Sequence, residues 1–236
     1  MLRSPAAPTA EQVQSLFNRI APAYDRLNGW LSLGQHWVWK QMAVSWSQAK
    51  VGDTCLDLCC GSGDLALLLG KQVGSAGQVV GLDFAEAQLA IAAQRSYHLP
   101  QIRWQQGDAL ALPFPDQTFN AITMGYGLRN VTDIPACLSE IQRVLRSGGK
   151  AAILDFNHPE NAFVEGFQQW YLQTIMIPAA KNLGLTEEYA YLVPSLARFP
   201  TGAEQVKLAQ QAGFTEAVHY AIAAGMMGVL VLKKKS

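Results

Sequence analysis

The chain has 236 residues, half of them apolar, and its 18 basic and 18 acidic side chains leave no formal net charge. This length fits one large domain, or one domain with a cap, around a sizeable core. Without a basic excess there is no electrostatic case for a nucleic-acid partner. Charged residues make up only 15% of the chain, a low share that fits an apolar ligand or partner as well as a large core.

The sequence shows no secretory signal and no membrane-spanning run. Residues 1–10 are rich in proline and alanine and predict a disordered tail. No run in the sequence reaches the ~18–20 apolar residues that a transmembrane helix needs. We therefore expect a cytoplasmic protein that at most associates peripherally with a membrane, and the sequence predicts no particular oligomeric state.

Strand-like apolar runs alternate with helical patterns from residue 50 onward. We predict strands at Thr54–Leu58, Gln78–Leu82, Ile102–Gln105, Ala121–Met124 and Ala151–Phe156, with helices at 63–72, 85–97 and 133–146. A helix at 203–212 and two β-rich runs, Glu216–Ile222 and Met226–Leu232, predict a terminal antiparallel hairpin. The pattern indicates right-handed βαβ units in an α/β fold, with a Rossmann-like, doubly wound and mostly parallel sheet of about seven strands.

Two helical segments rich in aromatic residues fall outside the predicted sheet, at 11–49 and 157–200. Between them lies a predicted cofactor-binding core at 50–156, which the helix and hairpin of 201–236 complete. The two segments either pack on the edge of the sheet or form a lid over an apolar acceptor site. We favour the lid, because most of the aromatic residues of the chain lie in these segments.

A glycine turn, Gly61-Ser62-Gly63, follows the first predicted strand, and Asp83 follows the second. Glycine lets a ligand approach the backbone closely, and a carboxylate at the second strand end can accept hydrogen bonds from a ribose. This spacing fits a dinucleotide site as well as an S-adenosylmethionine site. Asp57 favours S-adenosylmethionine, because a carboxylate before the turn suits an α-ammonium group and is unfavourable beside a pyrophosphate.

Two further strand ends carry candidate ligands. Asp108 follows the third strand and can accept a hydrogen bond from the exocyclic amine of adenine, although taken alone it would be a solvated turn residue. Gly125 follows the fourth strand and makes room where the methyl group lies in such folds. Ligands of doubly wound sheets bind at the carboxyl ends of strands, so these residues are expected to converge with Asp57 and Asp83.

Arg129 and Asn130 are the candidate catalytic residues. A phenolic methyl acceptor must lose its hydroxyl proton, so that charge from the oxyanion reaches the ortho ring carbon that attacks the methyl group. Arg129 can stabilise that oxyanion, and Asn130 can orient it or an ordered water. On the residues alone, a surface ion pair for Arg129 and a turn or cap for Asn130 are equally good interpretations.

The remaining polar residues carry weaker signals. None of the cysteines belongs to a CxxC pair, so we expect reduced core residues and no metal site; they are Cys55, Cys59, Cys60 and Cys137. His36 could act as a base, but a structural role is favoured. The run Lys233-Lys234-Lys235 could touch an anionic membrane, although a solvated tail is the better interpretation.

Three motifs give the sequence a resemblance to the UbiE/MenG quinone C-methyltransferases, over nearly the whole chain. They are Tyr24 to Trp39 (YDRLNGWLSLGQHWVW), Gly127 to Val131 (GLRNV) and Arg143 to Gly149 (RVLRSGG). Within that family, the stretches that resemble the phylloquinone branch of photosynthetic organisms are Leu56–Ala66 (LDLCCGSGDLA), Met124–Val131 (MGYGLRNV) and Ile153–Asn157 (ILDFN).

The resemblance implies a class I methyltransferase fold, S-adenosylmethionine as cofactor, and a prenylated naphthoquinol as substrate. Demethylphylloquinol is the first candidate; demethylmenaquinol or a benzoquinol of the ubiquinone pathway are the alternatives. The residues that it implies in cofactor contact are Ser62, Asp83, Asp108 and Ala109, and those that it implies in quinol activation are Arg129 and Asn130. Three departures from the family pattern, none at a proposed ligand, are Cys59 for a glycine, Leu27 for the commoner Met and Ser147 for Pro.

Two other functions compete with methyl transfer. A nicotinamide-dependent dehydrogenase would need a hydride-transfer constellation such as Tyr-x-x-x-Lys, and none of the seven tyrosines has Lys four residues later. A non-catalytic quinone carrier on the same scaffold would not need an intact cofactor site. The retention of Asp57, Gly61, Gly63 and Asp83 argues against such a carrier.

Overall fold

A computed structural model describes residue 11 and residues 34–182 and 193–236. The predicted tail at 1–10, and the parts of the two aromatic segments at 12–33 and 183–192, lie outside the described residues. Within the described part of the chain, seven strands form one mixed sheet. This sheet confirms the predicted α/β fold.

The seven strands reproduce the predicted doubly wound arrangement. They are β1 (Thr54–Leu58), β2 (Gln78–Asp83), β3 (Ile102–Gln106), β4 (Phe119–Gly125), β5 (Leu145–Phe156), β6 (Glu216–Ile222) and β7 (Met227–Lys233). Their order is β3-β2-β1-β4-β5-β7-β6; β1 to β5 pair in parallel, and β7 is antiparallel to both its neighbours. The order reverses between β1 and β4, which is where a ligand-binding crevice forms in such sheets.

Helices connect and flank the strands of this sheet. They are α1 (Gln35–Ser47), α2 (Asp64–Val73), α3 (Glu86–Arg95), α4 (Ile134–Val144), α5 (Ala162–Tyr171), α6 (Ile177–Asn182) and α7 (Gly202–Gln211). The four helices predicted from 63 onward outside the aromatic segments match α2, α3, α4 and α7 to within two residues at each end. The Asp133 carboxylate caps α4 by accepting from the Ala136 N–H at 2.9 Å, as its sequence position indicates.

The start of β5 is the largest difference from the predicted elements. The sequence predicts a strand from Ala151, whereas β5 begins at Leu145. Leu145 has extended dihedral angles and pairs with Phe119, with an irregularity before the next pairs. The helix predicted at 133–146 covers the first two residues of β5, and no element is predicted at 147–150, because pairing with a distant strand leaves no local sequence signal.

The core has two halves, one on each face of the sheet. On β1, Leu56 and Leu58 face the half that contains α4, while Cys55 faces the half that contains α2. Side chains alternate between faces along a strand, and both faces are buried, so β1 reads as a continuous apolar run. The carboxyl end of β1 is thereby held rigidly between two packed layers.

The lysines at the end of the chain are engaged by the protein surface. Lys233 forms an ion pair with Glu216 at 2.6 Å. Lys234 Nζ donates to the carbonyl oxygens of Gln142 and Leu145 at 2.7 and 2.8 Å. These carbonyls lie at the C-terminal end of α4, where a cation is stabilised by the helix dipole. These contacts do not support the use of this run as a membrane anchor. Across the described residues, the helices are too short or too polar for any of them to cross a membrane.

Candidate functional site

A cleft opens at the carboxyl ends of β1, β2 and β4. Its empty volume is about 1060 Å³ when the part that is open to solvent is included. Eight of the ten predicted site residues line it: Asp57, Gly61, Ser62, Asp83, Asp108, Ala109, Gly125 and Asn130. The fold therefore brings together the strand ends that the sequence pointed to, while the lining does not include Gly63 or Arg129.

Asp57 lies at the base of the cleft and is fully buried. Its Oδ2 accepts from the Ala66 N–H at 2.8 Å, and its Oδ1 accepts from the Thr123 hydroxyl at 2.9 Å. Burial raises its pKa from 3.8 to about 7, although both hydrogen bonds and the nearby charge of Lys40 oppose the rise. A cationic group of a ligand would stabilise the ionised form, so this carboxyl is suited to bind an ammonium group.

Asp83 organises the glycine turn from the end of β2. Its Oδ2 accepts from the Gly61 N–H at 2.8 Å, and its Oδ1 accepts from the Ala85 N–H at 2.9 Å. Burial raises its pKa, against the effect of these two bonds. Each oxygen keeps a second lone pair, with which the carboxylate can accept from the hydroxyls of a ribose.

The two glycines of the turn have different roles. Both have left-handed dihedral angles, with φ of 53° at Gly61 and 89° at Gly63. A Cβ on Gly61 would meet only Gln88, at 3.9 Å, whereas a Cβ on Gly63 would lie 2.4 Å from the Trp104 ring. Gly61 therefore leaves room at the cleft, while Gly63 begins α2 and allows Trp104 to pack beneath the turn.

An ion-pair group that the sequence did not predict lies at the start of α2. Asp64 lines the cleft and forms ion pairs with Lys40 of α1 and with Arg95 Nη2, the latter at 2.5 Å. Burial acts to raise the pKa of Asp64, but the two cations outweigh it and the pKa is lowered. Arg95 Nη1 also donates to Ser62 O and Oγ, both at 2.9 Å. The group fixes the glycine turn against α1 and α3.

One sequence signal could have found Lys40. It is the single charged residue of α1 (QHWVWKQMAVSWS), and it is only 9% exposed. A buried lysine needs a partner, so a lone lysine in an aromatic helix suggests an ion pair in the interior. Its partner Asp64 lies 24 residues away in the chain, and no sequence spacing identifies it.

Asp108 and Ala109 line the cleft from the loop after β3. The Asp108 Oδ1 accepts from the Leu110 N–H at 2.9 Å, which forms a tight turn. Arg143 of α4 holds the same loop by donating to the carbonyl oxygens of Leu112 and Phe114 at 2.9 and 2.7 Å. The residues predicted to contact adenine, Asp108 and Ala109, therefore lie on a loop whose backbone is held in place by hydrogen bonds.

Two of the six described non-glycine residues with left-handed φ angles lie in the lining of the cleft. Cys59 and Tyr126 are non-glycine residues with left-handed φ angles of 53° and 60°, and both line the cleft. Such conformations cost about 1–2 kcal/mol per residue and cluster at functional sites. Cys59 occupies the position where the general pattern has glycine, which explains why that pattern prefers a residue without Cβ.

The Tyr126 carbonyl is held by the two candidate catalytic residues. The Asn130 Nδ2 donates to this oxygen at 2.9 Å and the Arg129 Nη1 at 2.8 Å. Arg129 also forms a buried ion pair with Asp155 of β5, at 2.7 Å, and its guanidinium lies 5.1 Å from the centre of the Phe156 ring. The direct oxyanion role of Arg129 stays a prediction, and its observed contacts stabilise the wall of the cleft.

His36 does not line the cleft, and the four cysteines are unreactive. His36 is buried and packs against the Trp37 ring, with centroids 5.4 Å apart. The four cysteines, Cys55, Cys59, Cys60 and Cys137, are unbridged. Burial raises the pKa of each thiol, to about 12 for Cys55 and Cys137, so they are neutral small side chains.

Comparisons with known proteins agree with this site. The model of the ubiE/COQ5 methyltransferase family matches residues 6–234. The chain is 59% identical to a 2-phytyl-1,4-naphthoquinone methyltransferase of Trichormus variabilis, over 94% of this chain and 99% of that protein. It is 52% identical to a chloroplastic 2-phytyl-1,4-β-naphthoquinone methyltransferase of Arabidopsis thaliana, over 92% of this chain and 85% of that protein.

Solved structures show the same fold at low sequence identity. A SAM-dependent methyltransferase from Thermotoga maritima superimposes with a TM-score of 0.66 at 18% identity, over 94% of this chain and 100% of that chain. At this identity the likeness supports the Rossmann-like methyltransferase fold and no specific substrate.

Proposed function

The chain belongs to the ubiE/COQ5 methyltransferase family, and we propose that it transfers the methyl group of S-adenosylmethionine to a ring carbon of a prenylated naphthoquinol. Demethylphylloquinol is the first candidate, because the similar proteins of Trichormus variabilis and Arabidopsis thaliana are named 2-phytyl naphthoquinone methyltransferases. The observation that carries the proposal is the convergence of three carboxylates, Asp57, Asp83 and Asp108, on one cleft.

The cleft offers carboxylate partners for three parts of S-adenosylmethionine. Asp57 would bind the α-ammonium group, Asp83 the ribose hydroxyls, and Asp108 the exocyclic amine of adenine. Ala109 and Ser62 would line the adenine and methionine ends. A cofactor held in this way would present its methyl group toward Gly125, which lines the cleft at the end of β4.

Asn130 is suited to orient the acceptor. Its Nδ2 is committed to the Tyr126 carbonyl, which fixes the direction of the side-chain amide. Its Oδ1 is buried and has no hydrogen-bond partner among the described residues, and a buried acceptor of this kind is costly unless something donates to it. We propose that the quinol hydroxyl is this donor before it ionises.

Methyl transfer then needs a reduced substrate. The ionised hydroxyl pushes electron density to the ortho carbon, which forms the new bond to the methyl group as the bond to sulfur breaks. S-adenosylhomocysteine would then be released, and the ring carbon would lose its proton to water, which restores aromaticity. An oxidised quinone has no hydroxyl to ionise and its ring is poor in electrons, so it cannot start this sequence.

A labelled-methyl assay tests the reaction. With a panel of prenylated naphthoquinols and benzoquinols under a strong reductant, we expect label transfer with release of S-adenosylhomocysteine, fastest for demethylphylloquinol. The same compounds kept strictly oxidised should give no product.

Equal methylation of quinol and quinone would contradict the proposed chemistry, and faster transfer to demethylmenaquinol or a benzoquinol would reassign the substrate. Saturable binding of NAD(P) in place of S-adenosylmethionine would favour a dehydrogenase.

A lipid substrate requires contact with the membrane that dissolves it, and α5 is the surface that we propose for this contact. Its aromatic residues Phe163, Phe167 and Trp170 are 84%, 45% and 51% exposed and lie on one face at helical spacing. The helix follows β5 at the carboxyl edge of the sheet, where the cleft opens. At the end of β5, the Phe156 ring packs against Tyr126 of the cleft lining, with ring centroids 6.0 Å apart. Exposed tryptophan and phenylalanine on a helix are typical of a bilayer interface.

Flotation with phosphatidylcholine vesicles tests this surface. Replacing Phe163 and Trp170 together with serine should reduce the bound fraction at least about tenfold, since each ring contributes about 1–3 kcal/mol when buried in the interface. Tyr97→Ser is the matched control, because Tyr97 is 87% exposed but precedes β3 at the opposite edge. Undiminished binding of the Phe163/Trp170 variant, or an equal loss in the control, would contradict the assignment.

A further inference from the structure

The cleft has an excess of negative charge with a single cation set into it. Its lining contains four carboxylates, Asp57, Asp64, Asp83 and Asp108, and among the described lining residues Lys40 is the one cationic side chain. An acidic cleft suits S-adenosylmethionine, whose sulfonium and α-ammonium groups are both positive. The α-carboxylate is the part of that cofactor for which none of the residues discussed above supplies a partner.

We propose that Lys40 binds the α-carboxylate of the cofactor. This inference rests on the proposed function and extends it to a residue from outside the sheet. Lys40 and Asp57 line the same cleft, and the charge of Lys40 acts to lower the pKa of that carboxyl. The ammonium and carboxylate of an amino acid share one carbon, so their protein partners must likewise be neighbours. Asp57 and Lys40 form such a pair of opposite charges.

The ion pair with Asp64 makes the lysine available without leaving a buried charge uncompensated. The Asp64 Oδ2 accepts from Lys40, while the Oδ1 accepts separately from Arg95 at 2.5 Å. When Lys40 turns toward a ligand, Asp64 keeps the Arg95 pair, and the carboxylate of the ligand replaces Asp64 as the partner of the lysine. Removing one partner of a buried pair is strongly unfavourable in general, and the second cation avoids that cost here.

The assignment links cofactor binding to α1. Lys40 reaches the cleft from a helix that packs on the sheet through Ala43 and Val44, and its ammonium also lies 5.6 and 6.0 Å from the rings of Trp37 and Tyr126. These rings limit the movement of the side chain within the lining of the cleft. Cofactor binding would therefore hold α1 more firmly in place, through one lysine.

The test compares two ligands that differ only in the carboxylate: S-adenosylhomocysteine and its decarboxylated amine, S-adenosyl-3-thiopropylamine. By calorimetry, the unaltered chain should bind S-adenosylhomocysteine about 10- to 100-fold more tightly, as expected for a charge-assisted contact in a partly buried site. Lys40→Met should remove most of that preference by weakening S-adenosylhomocysteine alone, and Lys40→Arg should keep much of it. Lys71→Met, the same change at an exposed position of α2, is the matched control.

Each result decides the matter. Selective loss of S-adenosylhomocysteine affinity in Lys40→Met supports the assignment. Equal loss of both ligands would mean that Lys40 acts through packing of α1, and an unchanged preference would mean that it does not contact the carboxylate; either result overturns the inference. If the unaltered chain binds S-adenosylhomocysteine, the proposed cofactor stands whatever the lysine variants show. If it binds neither ligand, the proposed function itself is contradicted.

Discussion

Asp57→Asn is expected to weaken binding of S-adenosylhomocysteine by at least about 30-fold, the largest change in cofactor affinity among single substitutions in the cleft. The carboxylate is fully buried, and truncating or neutralising one member of a buried charge pair costs about 2–5 kcal/mol in binding. Asparagine keeps the size of the side chain and can still accept from one of the two donors, Ala66 N–H or the Thr123 hydroxyl. The fold should therefore survive while the ammonium of the ligand loses its counter-charge.

The same residue should make cofactor affinity depend on pH. Burial raises the pKa of Asp57 to about 7, and only the ionised form attracts an ammonium group. Between pH 6 and pH 8, affinity for S-adenosylhomocysteine should rise with pH, by up to tenfold per unit below the pKa. In Asp57→Asn this rise should be absent.

Stability without ligand should change with pH in the opposite direction. The folded pKa of Asp57 lies above its ordinary value of 3.8, so the native state binds more protons than the unfolded state between pH 4 and pH 7. The contribution of this group to stability is then present at low pH and is lost as the pH rises through about 7. Titration calorimetry at pH 6, 7 and 8 measures the affinity for S-adenosylhomocysteine. The control ligand 5′-methylthioadenosine lacks the ammonium group, so its affinity reports any pH effect on the fold that does not involve the ammonium contact with Asp57. A pH-independent affinity in the unaltered chain would contradict the role of Asp57.

The parts of the site that the sequence predicts well are those set by local backbone chemistry. The turn after β1 and the carboxylate after β2 can be placed because a strand, a glycine turn and a helix follow one another within a few residues. Gly61 and Gly63 show the limit of this reasoning. Their spacing makes them equivalent, but Trp104, which lies far along the chain, decides that Gly63 serves packing and Gly61 the cleft.

What the sequence could not supply is the partner of each charged side chain. Thr123 donates to Asp57 because β1 and β4 are neighbours in register, and strand register leaves no mark in either segment alone. Arg129 raises the same difficulty, since a surface ion pair and a catalytic cation are equally consistent with the motif. The structure shows an ion pair, but a buried one, and its partner Asp155 lies 26 residues away.

Arg129→Met is expected to destabilise the fold by about 3–5 kcal/mol, because it leaves the Asp155 carboxylate buried without its cation. Both side chains are nearly inaccessible, at 6% and 4% exposure, so water cannot replace the missing partner. The measurement is urea unfolding, with Arg146→Met as control; Arg146 lies in an exposed stretch of β5, and its loss should cost less than about 1 kcal/mol. A similar loss of unfolding free energy in both variants would show that the buried ion pair contributes no more to stability than an exposed arginine.

The double variant Arg129→Met/Asp155→Asn separates stability from chemistry. Neutralising the carboxylate left without its cation should recover part of the lost free energy of unfolding. The recovery is partial because the two oxygens of Asp155 accept from the backbone N–H groups of Arg129 and Phe156, and asparagine has only one acceptor oxygen. If Arg129 stabilises the quinol oxyanion, turnover should stay low in the refolded double variant while affinity for S-adenosylhomocysteine remains nearly unchanged. If turnover returns together with stability, Arg129 acts only by holding the Tyr126 carbonyl and the strained wall of the cleft. In that case Asn130 and the backbone orient the quinol that accepts the methyl group, and the Arg129 guanidinium stabilises the position of Asn130 and of the Tyr126 carbonyl.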